Sequence, residues 1–131
     1  IGRLSKNGGV IQAIPATIHQ GYVSAESKSF GRFKIISDNT PPTITLTRFS
    51  NATNYSVGKI KFEIQDKLSG INTYRCEVNG KFVLASYDYK QDLLEIDVSD
   101  LSKSESLQYL RLIVSDMAGN VATFEGSFYV R

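Results

Sequence analysis

Hydrophobic and polar positions alternate most cleanly over residues 107–130. In the first half, Leu110, Leu112 and Val114 fall on one face, and Tyr109, Arg111 and Ile113 on the other. In the second half, Phe124, Gly126, Phe128 and Val130 share a face. A period of two places one side of an extended strand on a core. The intervening Asp116-Met117-Ala118-Gly119-Asn120 has the chemistry of a tight turn, because Asp bonds its own backbone and Gly and Asn tolerate positive φ. The stretch therefore predicts a long hairpin, and with it an all-β chain.

The same pattern recurs upstream. Residues 43–47 alternate. Residues 59–64 do so with Ile60, Phe62 and Ile64 inward, and residues 71–78, 81–86 and 93–98 complete the series. Asp66-Lys67-Leu68-Ser69-Gly70 turns the chain once, and Asn79-Gly80 is the two-residue signal of a type I′ hairpin. Residues 99–106 read as a polar crossover. Seven strands over about 90 residues predict an immunoglobulin-like β-sandwich. Its turns at residues 66–70 and 116–120 should close at the same end.

Residues 1–37 predict a smaller β segment, with strands at 9–14 (ended by Pro15), 21–25 and 30–36. These are few for a free-standing sandwich, so the segment reads as the end of a preceding β domain or a small sheet leaning on the sandwich. Between the two units lies Ser37-Asp38-Asn39-Thr40-Pro41-Pro42, where consecutive prolines hold the chain extended. The predicted boundary divides the chain into 1–37 and 38–131. So short a joint predicts that the two units pack together rather than flex freely.

Composition narrows the function classes. A net charge of +2 over 131 residues, with the signs interspersed, is too weak a footprint for nucleic acid. Lys59, Lys61 and Lys67 read as a solvated strand edge on which lysine discourages pairing. No apolar run is long enough to span a membrane. The chain starts at Ile1 without a leader-like segment, which reads as a piece of a longer polypeptide. Cys76 is the only cysteine, so no intrachain disulfide forms, and its place in a strand reads as a small buried hydrophobe.

Catalytic chemistry is sparse. His19 is the only histidine and reads as a loop or strand-end residue; with Cys76 alone it cannot build a zinc site. No nucleophile elbow accompanies it. Gly8-Gly9 lacks the Lys and the helix of a phosphate loop. Asp88, Asp92, Glu95 and Asp97 offer carboxylates, but Glu95 and Asp97 alternate with Leu94, Ile96 and Val98 as a solvated strand face. Two binding ideas stand beside structural alternatives. Asp66, Asp116 and Asn120 supply hard oxygen donors at one end of the sandwich and could hold calcium, or cap their turns. Tyr74, Tyr87 and Tyr89 could form an aromatic surface for a sugar, or simply pack. Tyr109 suits the corner tyrosine of such sandwiches, a structural role.

Residues 38–130 resemble the C-terminal immunoglobulin-like domain of large Bacteroidetes proteins that also carry a lysostaphin-type zinc endopeptidase. The resemblance rests on Asp38 to Pro42 (DNTPP), Asp66 to Ile71 (DKLSGI), Tyr74, Asn79-Gly80-Lys81, Tyr87 to Lys90 (YDYK) and Asp116 to Asn120 (DMAGN). Gly31 and Phe33 add to it ahead of the joint. It implies a non-catalytic accessory module of a periplasmic or extracellular, cell-surface peptidase, whose partners are the parent's catalytic module and possible glycans such as peptidoglycan. That catalytic module needs H-x(3)-D and H-x-H for zinc, and this chain contains neither. The alternative is a surface adhesin or carbohydrate-binding repeat. No cofactor is expected, calcium at Asp66, Asp116 and Asn120 being the one candidate that the residues offer.

Overall fold

A computed structural model describes residues 2–4, 10–14, 16–48, 53–55, 59–98 and 104–130. The expectations placed on Gly8, Gly9, Pro15 and residues 99–103 lie outside them, while residues 104–106, expected in the polar crossover, already belong to the next strand. The described residues are all-β, with no helix. The N-terminal part forms β1 (Gly2–Leu4), β2 (Val10–Ala13), β3 (Thr17–His19), β4 (Tyr22–Ser24) and β5 (Arg32–Lys34). They make a three-stranded sheet in the order β2-β1-β5 and a separate β3-β4 hairpin. His19 ends β3, as its sequence context suggests.

The sandwich is built from β6 (Thr43–Arg48), β7 (Thr53–Tyr55), β8 (Lys59–Gln65), β9 (Ile71–Val78), β10 (Lys81–Val83), β11 (Ala85–Asp88), β12 (Leu93–Asp97), β13 (Ser104–Asp116) and β14 (Val121–Val130). One sheet runs β10-β9-β13-β14-β7 and the other β11-β12-β8-β6. Nine described strands thus replace the seven expected, for two reasons. The strand expected at 81–86 breaks at Leu84 and crosses from one sheet to the other. The short β7, from a polar stretch, pairs in parallel with the end of β14.

The predicted inward faces meet between the sheets. Ile60, Phe62 and Ile64 of β8, Cys76 and Val78 of β9, Leu94 and Ile96 of β12, and Leu110, Leu112, Val114 and Phe128 of the closing hairpin are buried in one cluster. Asn79 and Gly80 have φ of 52° and 78°, the two positive values of a type I′ turn. Cys76 is buried, and burial pushes its thiol pKa up to about 12, which removes it as a nucleophile near neutral pH.

Two local expectations are corrected. Lys59 and Lys61 do not protect an edge: β8 lies inside its sheet, and both lysines pair with Glu95 across the solvent face, at 2.8 and 3.4 Å. Tyr109 is no corner tyrosine. The residue is 62% exposed, and its main chain, not its hydroxyl, bonds Asn79.

Candidate functional site

The β8–β9 turn and the β13–β14 turn close at the same end of the sandwich, and the Met117 amide donates to the Gly70 carbonyl at 2.9 Å between them. Each turn is organised by its aspartate. Asp66 Oδ1 accepts from the amides of Leu68, Ser69 and Gly70 at 3.2, 2.9 and 2.9 Å. Asp116 Oδ1 accepts from the amides of Ala118 and Asn120 at 2.9 and 2.8 Å, while its Oδ2 accepts from Asn120 Nδ2 at 2.8 Å. A short polar side chain that mimics a backbone acceptor is what both tight turns need.

Asp38, in the joint ahead of the two prolines, is a third member that the sequence pattern places only in a linker. Its Oδ1 accepts from the Thr40 amide at 3.0 Å, and its Oδ2 from the Ser69 hydroxyl at 2.5 Å and the Ser69 amide at 3.2 Å. Its carbonyl accepts from Asn120 Nδ2 at 2.9 Å. One residue of the joint is therefore tied to both turns, and Asn120 links the joint to Asp116. The one local signal is Asp38 followed by Asn39, an ordinary turn pair. Nothing local points to partners 31 and 82 positions away.

One carboxylate oxygen from each of Asp38, Asp66 and Asp116 lies within 4.8 Å of the others. Asp116 is fully buried and the other two are half-buried. These are the residues that could hold a hard cation, by oxygen chemistry alone. Asn120 turns its amide nitrogen, a donor, toward Asp116 and Asp38. The same oxygens are already acceptors for the turn amides, so the cluster also has a complete structural use.

The Ser69 hydroxyl, first, and then the Thr40 amide hold the Asp38 carboxyl below its ordinary 3.8, against the opposing pull of burial. A depressed carboxylate pKa contributes stability above the unfolded value, and that contribution is lost as pH falls through the folded one. Amide exchange at Ser69 and Thr40 should therefore accelerate in wild type as pH drops below 3.8, relative to exchange in the core strands. In Asp38→Asn the acid step should vanish; an identical step in that variant would assign it to another group.

Of the three tyrosines, the structure brings two together. Tyr74 of β9 and Tyr87 of β11 meet across the sheets with ring centroids 5.6 Å apart and planes at 63°. This edge-to-face packing gives no common flat surface. Desolvation, then Asp92 and Asp88, raise the Tyr87 pKa above its ordinary 10.0. Tyr89, in the turn after β11, is 73% exposed and makes no ring contact with either among the described residues. Asp88 and Asp92 serve that turn: Asp88 Oδ1 accepts from the Lys90 amide and Asp92 Oδ2 from Gln65 Nε2.

A groove of about 350 Å³ runs beside the joint. Ile14, Ile18 and Ile36 line it from the N-terminal side, and Leu68 and Met117 from the two turns. The end of the sandwich that carries the aspartates is thus the end that faces the preceding β segment.

No protein-family model and no curated protein matches this chain. Among solved structures, it is similar to the endo-β-1,4-mannanase from Thermotoga petrophila, with a TM-score of 0.55 and 8% identity over 72% of this chain and 20% of that one. It is also similar to the SrpA adhesin from Streptococcus sanguinis, with a TM-score of 0.49 and 19% identity over 75% of this chain and 60% of that one. The chain therefore spans a fifth of the mannanase and three fifths of the adhesin chain. At 8% identity the mannanase likeness speaks to the fold alone.

Proposed function

We propose that residues 38–131 are a non-catalytic positioning module, which holds the β segment of residues 1–37 at a fixed angle to its sandwich. The observation that carries this reading is the tie of Asp38 to Ser69 and Asn120, which binds the joint to both turns of one sandwich end. Flexible linkers leave their backbone to water, whereas here joint side chain and main chain are both engaged. The resemblance of residues 38–130 to accessory domains of lysostaphin-type peptidases favours a secreted or periplasmic cell-wall peptidase as the parent. In that reading the module sets where the catalytic module sits and contributes no reacting group. Residues 1–37 then belong to the domain that it positions.

Backbone ¹⁵N relaxation tests the joint. Residues 16–37 and 59–98 should tumble with one correlation time, and Asp38→Ala combined with Ser69→Ala should separate them. Independent tumbling in wild type would overturn the positioning role. Co-sedimentation with purified peptidoglycan, with and without calcium, tests autonomy. The chain is expected to stay in the supernatant in both conditions. Strong pelleting would move the function to glycan binding and attention to Tyr74, Tyr87 and Tyr89; pelleting only with calcium would move it to the three aspartates.

A further inference from the structure

The five-stranded sheet is only partly covered along β14. β7 pairs with Phe128–Val130 and β6 of the other sheet comes close to β14, but among the described residues no strand pairs with Val121–Glu125 on that side. The ladder fixes which peptide groups face the open side. The Asp116 amide donates to the Asn120 carbonyl, and the Asn79 amide to the Tyr109 carbonyl. Even-numbered residues of β13 therefore turn their peptide groups toward β14, and odd-numbered ones toward β9. In the register Val114↔Ala122, Leu112↔Phe124 and Leu110↔Gly126, the even residues of β14 answer them. Val121, Thr123 and Glu125 are left with N–H and C=O directed outward.

An open edge is a template for strand addition unless lysine, proline, a bulge or brevity protects it. Other edges of the sandwich carry such devices. β6 has a register shift between Leu46 and Arg48, β10 is three residues long and starts with Lys81, and β11 is four residues long and ends with Asp88. The segment Val121-Ala122-Thr123-Phe124-Glu125 has no lysine, proline or glycine and one charge, and its ladder with β13 is unbroken.

We infer that this edge pairs with the same edge of a second copy of the chain, antiparallel about a two-fold axis at Thr123. The sequence is self-complementary in that register. Thr123 faces its own counterpart, a favourable cross-strand pair, and each Val121 faces the other copy's Glu125, so no like charges oppose. All three positions present outward peptide groups, which gives three hydrogen-bonded pairs and a closed, isologous dimer. The side chain of Arg111 lies 3.7 Å from Glu125 and offsets its charge at the seam. A seam this short buries far less than the roughly 1,600 Å² of a standard interface, so the dimer is a weak one.

Sedimentation velocity on this chain, from about 10 µM to about 1 mM, brackets the affinity expected of such a contact. The sedimentation coefficient should rise with concentration, and the amide signals of Val121, Thr123 and Glu125 should shift in step. Thr123→Lys, which sets two lysines face to face, should abolish the rise without lowering the melting temperature. Thr123→Pro removes an outward N–H and no ladder bond to β13, and should do the same, provided its circular dichroism matches wild type. A chain monomeric throughout, or a dimer that both variants leave intact, would overturn the inference. So would a monomer whose edge amides respond only to an added (Thr-Val)4 peptide, which would give the edge to extended peptides instead.

Discussion

Asp116→Ala should destabilise the chain by about 2–4 kcal/mol, at the upper end of what single caps contribute and beyond it. As an exposed turn cap, Asp116 would carry only about 0.5–2 kcal/mol. Burial changes the magnitude. Asp116 is 0% exposed, so truncation leaves the Ala118 and Asn120 amides without the acceptor that the native turn closes over them. Asn120 Nδ2 also loses one of its two acceptors, and with it the brace between Asp116 and the Asp38 carbonyl. Chemical denaturation gives the number. The melting temperature should fall by roughly 10 °C, given about 2–8 °C per kcal/mol for domains of this size range. Asp116→Asn, which keeps an oxygen for the two amides, should lose less than half as much. If both variants melted like wild type but only wild type responded to calcium, the residue would be a ligand rather than a cap.

The same residue shows how far local pattern carries. Asp116 and Asp66 are legible as turn residues because their partners lie two to four positions away. The core is legible for a similar reason: period-2 alternation is local, and Ile60, Phe62, Ile64, Leu110, Leu112 and Val114 are buried as it requires. Asp38 is legible only as part of a joint, since its partners are fixed by which sandwich end folds against it. β7 is not visible, because Thr53-Asn54-Tyr55 lacks apolar alternation and is a strand by virtue of its parallel backbone pairing with β14. Lys59 and Lys61 are misplaced by pattern alone because strand order within a sheet decides what is an edge, and strand order is a tertiary property. For the tyrosines, spacing along the chain indicates proximity but not ring angle, and the angle separates a packed pair from a surface on which a sugar could stack.

Phe62→Ala should cost about 3–5 kcal/mol, the range for emptying a large aromatic site in a packed core. Phe62 is fully buried at the middle of β8, paired with Leu46 on one side and Leu94 on the other. Its ring meets that of Phe124, from the opposite sheet, edge-on at 5.0 Å. It therefore bridges both sheets, and little can collapse into the space without bringing them closer. Against a typical total of about 5–15 kcal/mol, such a loss removes roughly a fifth of the stability at the least. The variant also tests the joint from the far side. The N-terminal residues bury little of their own: Ile18, Tyr22, Phe30 and Ile35 are all mostly exposed. They stay exposed with the sandwich present, so the ties between the two units are those of Asp38 and the groove, and a unit with so small a core is marginal by itself. The signals of Tyr22 and Val23 should then melt with those of Leu94 and Leu112, in one transition that Phe62→Ala moves as a whole. Two transitions, with only the sandwich shifted, would mean that residues 16–37 stand without it. The bonds of Asp38 would in that case orient the preceding segment without supporting its fold.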